Sequence, residues 1–192
     1  MKRLFLLFII SLVGIQVNAQ NETYFPFEAK GHTGFDSFTE KWYSGQLSAL
    51  REPVLLTDRS EKEIYRFTWL RTFHHPVAIR IEKNGDAYIL YWKVCDGAGG
   101  YEPGKLIIDK QKEISKASWD KFMQKFMMIG FWAMDTREKE LGNDGAQWIL
   151  EGKLANKYHV VEAWSPRSGN YYECCDFLIG LTDLKIKPDE KY

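Results

Sequence analysis

Beyond its first residues the sequence holds no second long apolar run. The mature chain therefore has no membrane-span candidate and is expected to be soluble. Neither charge is in excess: 26 basic residues stand beside 26 acidic ones. That balance excludes the basic footprint of a nucleic-acid binder. The three cysteines lack the C-x₂-C spacing of a zinc site, and no metal set is expected. Gly-x-Ser-x-Gly is absent, as are the G-x-x-x-x-G-K-[ST] phosphate loop and a dinucleotide fingerprint between strand and helix. No nucleophile elbow and no cofactor follow from the residues. No fixed-period repeat or low-complexity linker divides the chain.

What is present begins with an address. Lys2 and Arg3 precede an apolar run from Leu4 to Val13, and Val17-Asn18-Ala19 has the small-residue character of a cleavage site. This pattern is a secretory signal peptide over residues 1–19, too short in its apolar part to span a bilayer. Residues 20–192 are expected to form one exported domain, periplasmic or extracellular. No cysteine sits at the cleavage point, which speaks against a lipid anchor. An oxidising compartment favours one disulfide. The options are Cys95–Cys174, Cys95–Cys175 and a strained vicinal pair, with Cys95 and Cys174 as the leading candidates.

Residues 20–34 read as a polar-aromatic lead lying over the surface. Ser37 to Glu40 has the form of a capping box, so a helix is predicted from there to about Arg51, with Phe38, Trp42, Tyr43, Leu47, Ala49 and Leu50 as a wide apolar stripe. Glu52-Pro53 ends it. Of the tryptophans, Trp42, with Tyr43, is the readiest to be exposed. Ile64–Phe73 alternates as a strand. Val77–Lys83 and Asp86–Cys95 flank Asn84-Gly85, a hairpin signal that places Ile81 opposite Tyr88, Ile79 opposite Leu90 and Val77 opposite Trp92. Lys105–Asp109 resumes as a strand. A helix capped by Ser118 carries Trp119, Phe122, Phe126 and Ile129, and Gly130 closes it. Phe131–Met134 is a buried connector. Ala146–Glu151 and Tyr158–Ser165 are two strands joined by Gly152–Lys157. A last helix covers Tyr171–Leu181 with Cys174 inward, and the charged tail Lys185–Tyr192 is expected to fray. The order is α-β(3-4)-α-β2-α. The fold class is α+β, an antiparallel sheet of five to six strands with its three helices over one face.

Four places carry chemistry. Consecutive glycines in Asp96–Gly104 can turn backbone N–H groups toward an anion, although a plain long hairpin loop explains them better. His74-His75 point to opposite sides of a strand and so make a poor metal pair. Glu151 and His159 depend on register. In one pairing they face each other, with Ile149 opposite Val161 and Trp148 opposite Glu162, and the carboxylate could tune the imidazole for acid–base work. In the other, Leu150 faces His159, Trp148 faces Val161, and His159 is merely packed. A framework hairpin is the preferred reading, and Glu151 and His159 are the only catalytic candidates. Asp96, Tyr101, Trp148 and Trp164 are the candidates for ligand contact. Ser165 and Ser168 lack a nucleophile's setting, and Cys175 would serve first as a disulfide partner or apolar filler.

The run Asp96–Leu106 (DGAGGYEPGKL), the Phe131-Trp132 pair, the stretch Asp144–Pro166 (DGAQWILEGKLANKYHVVEAWSP) and the closing helix with its cysteine together resemble a family of uncharacterised bacterial proteins. Several members are exported by Gram-negative bacteria, and a signal ending in Asn-Ala-Gln resembles those of Bacteroidota. The resemblance covers most of the mature chain and carries no function across. The similar proteins often have Arg where this chain has Ala163, so a ligand role resting on that Arg does not transfer. The residues lead first to a non-enzymatic exported domain that binds a protein or small ligand. A small hydrolase-like enzyme using Glu151 and His159, or an immunity or inhibitor protein, are the alternatives.

Overall fold

The structure, a computed structural model, describes residues 22–28, 34–137, 142 and 144–192. The signal peptide expected over residues 1–19 falls outside the described residues. The elements run α1 (Ser37–Ala49), β1 (Glu63–Arg71), β2 (Val77–Asn84), β3 (Ala87–Cys95), β4 (Leu106–Glu113), α2 (Lys116–Met128), a 3₁₀ turn at Phe131–Ala133, β5 (Ala146–Leu154), β6 (Lys157–Trp164) and α3 (Gly169–Gly180). The six strands form one antiparallel sheet in the order β4-β3-β2-β1-β5-β6. This is the α+β class and the element order that the residue pattern predicts. No helix among the described residues is long and apolar enough to cross a membrane.

Alternation along each strand builds two cores. One face carries Tyr65, Phe67 and Trp69 of β1 with Ile79, Leu90, Trp92, Trp148 and Leu150, covered by Trp119, Phe122 and Phe126 of α2 and Cys174 and Leu178 of α3. The other carries Leu70, Ala78, Cys95, Ile149 and Val160 under Tyr43, Leu47 and Leu50 of α1. The expectation of helices over a single face is therefore corrected: α1 covers the second one. That face looks wet in sequence because it is set with charged residues, and these prove buried.

The lead is corrected too. Tyr24, Phe25 and Phe35 are buried beneath α1, and Phe25, Phe35 and Tyr43 meet edge to face at 5.3–5.9 Å. The caps sit earlier than expected. Asp36, not Ser37, caps α1 by accepting from the Phe38 and Thr39 N–H groups, and Ser115, not Ser118, caps α2. Asp36 stands one residue before the expected cap and Ser115 three before, and each accepts from N–H groups of its helix's first turn.

Both hairpins keep their faces or lose them according to where glycine really works. In β2–β3 the pairs are Ile81–Leu90, Ile79–Trp92 and Val77–Val94, two residues from the expected register. Gly85, at φ 60°, takes the first turn position and Asn84 stays in the strand paired with Ala87. A shift of two preserves every facing, so the core set is unchanged. In β5–β6 the turn is Ala155-Asn156, and Gly152 lies inside β5. A side chain on Gly152 would come within 2.8 Å of the Phe131 ring, so this glycine marks close packing rather than a turn.

Candidate functional site

The β5–β6 register decides the catalytic candidates. Glu151 pairs with Val160 and His159 with Gly152, one step from the register that opposes Glu151 to His159 and two steps from the one that opposes Leu150 to His159, so the facing of the preferred framework hairpin is kept. Adjacent strand positions alternate in facing, so Glu151 and His159 project from opposite sides of the sheet. The proposed acid–base pair does not exist in this fold. His159 packs edge to face on Phe131 at 5.1 Å, with Nε2 3.0 Å from the Met134 carbonyl. Burial pushes its imidazole below the ordinary range, with the Met134 bond opposing and Lys157 assisting.

Glu151 has a different partner. Arg66 of β1 stands directly opposite it and donates twice, Nε to Oε2 at 2.6 Å and Nη2 to Oε1 at 2.7 Å, with both side chains wholly buried. Tyr158 OH donates to Oε1 at 2.9 Å. Burial alone would lower the Arg66 pKa, but the Glu151 carboxylate more than compensates and holds it above its ordinary value. The lattice continues across the sheet. Arg66 Nη1 donates to the Pro53 carbonyl at 2.6 Å, Arg80 Nε donates to Glu52 at 2.8 Å, Arg80 also pairs with Glu82, and Lys93 Nζ donates to the Arg51 carbonyl at 2.6 Å. The segment after α1 is thus clamped onto the sheet by charge. Opposite charges this close pair with one another, which suits a framework.

The glycine-rich loop builds an exposed aromatic surface with α1. Asp96 Oδ1 accepts from the Lys105 N–H at 2.6 Å and closes the loop base. Gly99 and Gly100 lie against the end of β1, where a side chain on Gly99 would meet the Leu70 Cα at 2.6 Å. The Gly99 N–H donates to the His74 carbonyl at 2.9 Å and that of Gly100 to Thr72 at 3.3 Å. These N–H groups are consumed by the fold, so the loop is no anion nest. The glycines let the loop approach closely enough to present Tyr101 toward α1, whose Gln46 holds the Tyr101 carbonyl through Nε2 at 2.8 Å.

Between them lies a cleft of about 380 Å³ lined by Phe38 and Trp42 of α1 and Gly100, Tyr101 and Glu102 of the loop. Phe38 is 78% exposed, Tyr101 62% and Phe73 61%. Phe73 sits 6.3 Å from the Tyr101 ring and extends the surface beyond the cleft. Trp42 rests on Tyr43 at 5.1 Å, and Tyr43 is fixed by donating to Glu162 Oε1 at 2.5 Å. Arg137 ties the same corner together, reaching Glu162 at 3.1 Å, Asp36 at 3.2 Å and Thr39 at 3.0 Å. These contacts brace the α1 wall of the cleft.

Of the other ligand candidates, Tyr101 alone reaches this cleft. Trp148 is buried core. Trp164 packs over Gly145. Asp96 is a loop fastener. The Ser165 hydroxyl accepts from the Ala146 N–H at 2.8 Å, a framework role. The expected disulfide is absent: Cys95, Cys174 and Cys175 are free and buried, and Cys95 lies on the α1 face while Cys174 and Cys175 lie on the other. The sheet itself separates Cys95 from both partners. Burial pushes the Cys95 thiol up to about 11 and Cys174 to about 12. Among the described residues no cluster of three His, Cys, Asp or Glu side chains could hold a metal ion.

Phe38 and Phe73 were absent from the expected site. A signal for Phe38 existed: it lies about 140° round the helix from Tyr43, well off the line through Tyr43, Leu47 and Leu50. Phe73 carried none, because its exposure follows from β1 ending at Arg71. Comparison with protein-family models and with curated proteins yields no match to this chain.

Proposed function

We propose that this protein is a non-enzymatic exported binding domain and that the braced aromatic cleft between α1 and the Asp96–Gly104 loop is its contact surface. The observation that carries the reading is the group of exposed rings, Phe38, Tyr101 and Phe73, gathered around one cleft. A soluble chain gains nothing in folding from rings left in water, whereas a partner that covers them gains both apolar area and ring contacts. The cleft volume lies in the range of small-ligand sites. Export rests on the leader pattern of residues 1–19 and on the resemblance to exported bacterial proteins.

The test is affinity capture from the exported fraction of the source cells with the wild-type domain, the Phe38→Ser/Tyr101→Ser variant and a Met127→Ser control on the far side of the molecule. The reading expects a stoichiometric partner retained by wild type and control and lost by the double variant, at unchanged thermal stability. A partner held equally by all three would place the contact surface elsewhere.

A further inference from the structure

The tail does not fray. Residues 182–192 cross the α2–α3 face of the sheet as a strap fastened at both ends by tryptophan N–H groups. At one end Trp92 Nε1 donates to Asp183 at 3.0 Å. At the other, Trp69 Nε1 at 3.2 Å and Trp148 Nε1 at 3.0 Å both donate to the backbone oxygen of Tyr192. The convergence is built by register, because Trp69 and Trp148 are direct partners in the β1–β5 ladder. Arg71, two residues beyond Trp69 on the same face, stacks its guanidinium over that indole at 4.1 Å. His74 Nδ1 lies 2.6 Å from the Tyr192 hydroxyl.

This floor has a single chemical character. Its polar groups are the two indole N–H donors, the Arg71 guanidinium and the His74 imidazole, with no floor carboxylate among them. The strap satisfies them incompletely. Arg71 Nη2 donates to the His75 carbonyl at 3.2 Å, but Nη1 reaches the Glu190 carbonyl only at 3.4 Å and the Glu190 carboxylate at 3.9 Å, and the buried Nε has no hydrogen-bond partner among the described residues. Arg71 is nonetheless almost fully buried, as are both tryptophans, while Lys187, Pro188 and Asp189 above them are exposed. A buried guanidinium without a full carboxylate partner is a costly arrangement, and a ligand that supplies the carboxylate relieves it.

We propose that Trp69, Trp148, Arg71 and His74 form a binding site for a carboxylate-bearing aromatic ligand, and that residues 184–192 occupy it as a displaceable intramolecular ligand. The tryptophan floor lies on the opposite face of the sheet from α1 and the aromatic cleft.

The test uses the full chain and N-acetyl-tyrosine as probe, following the indole N–H resonances of Trp69 and Trp148 by NMR, assigned with Trp→Phe variants. The expected result is a saturable shift of both resonances with release of the backbone signals of residues 184–192. N-acetyltyramine, which lacks the carboxylate, should have no effect. Arg71→Gln should weaken binding by about tenfold or more, as loss of a charge-assisted contact implies. Tyr192→Ser, which loosens the strap, should tighten it. Absence of a shift in both wild type and Tyr192→Ser at probe concentrations on the order of 10 mM would overturn the proposal. So would equal binding of N-acetyltyramine, or a Tyr192→Ser protein that instead dimerises by exchanging tails.

Discussion

Breaking the Arg66–Glu151 pair should be among the most damaging single changes in the molecule. Arg66→Met removes both donors at 2.6 and 2.7 Å and leaves a buried Glu151 carboxylate with Tyr158 as its remaining hydrogen-bond donor. It also frees the Pro53 carbonyl and takes one cation, at 3.5 Å, from Glu52. Orphaning one member of a buried ion pair costs about 3–5 kcal/mol, against a total stability of about 5–15 kcal/mol for a domain. Glu151→Gln should cost a comparable amount, since it leaves Arg66 charged and underpaired. The double variant Arg66→Met/Glu151→Leu should lose less than the sum, because no uncompensated charge remains. Urea denaturation by circular dichroism, with a slope of about 1–3 kcal/mol/M, would read the single variants as midpoint losses of about 1 M or more. If Glu151→Gln moved the midpoint by less than about 0.3 M at unchanged slope, Glu151 would not be a structural anchor, and the case against a catalytic role would fall with it.

Three further outcomes follow from the geometry. Alkylation under denaturing, non-reducing conditions should find three free thiols; a Cys95–Cys174 link would contradict the placement of these residues on opposite faces. Burial lowers His159 below its ordinary 6.5, so the unfolded chain takes up this proton first as pH falls. Stability from this group is therefore full above about pH 6.5 and declines below it, and His159→Gln should flatten the pH dependence of the urea midpoint in that window. Gly152→Ala would press a methyl group against Phe131 and Gly99→Ala would press one against the β1 backbone, each costing about 1–3 kcal/mol in the same assay; neutral results would show that neither glycine is there for close approach.

The strand faces were legible because apolar residues alternate cleanly through β1, β2, β3 and β5. The turns were less so, because the same residue type serves two purposes. Gly85 makes a turn, while Gly152 makes room for Phe131, and sequence alone does not separate them. That ambiguity moved the β5–β6 register and with it the fate of Glu151 and His159. The second core stayed hidden for a different reason. Arg66, Arg80, Glu82, Lys93 and Glu151 alternate like a wetted face, yet they are buried because Glu52 and the segment around it bring the opposing charges. Partners that distant in sequence leave no local trace. Tyr101 was legible in the candidate site, whereas Phe38 was absorbed into an apolar stripe drawn too wide. The tail looked frayed from its charges, but its fastening depends on three tryptophan N–H groups from three strands.

The most direct test of the binding surface is photo-cross-linking from a single position. A photoreactive phenylalanine at position 101, irradiated in the exported fraction of the source cells, should give one discrete adduct. The same residue at position 127, exposed on α2 far from the cleft, should give none, and Phe38→Ser should abolish the adduct from position 101. An adduct from position 127 alone, or one from position 101 that is indifferent to Phe38, would contradict the assignment of the aromatic cleft as the contact surface.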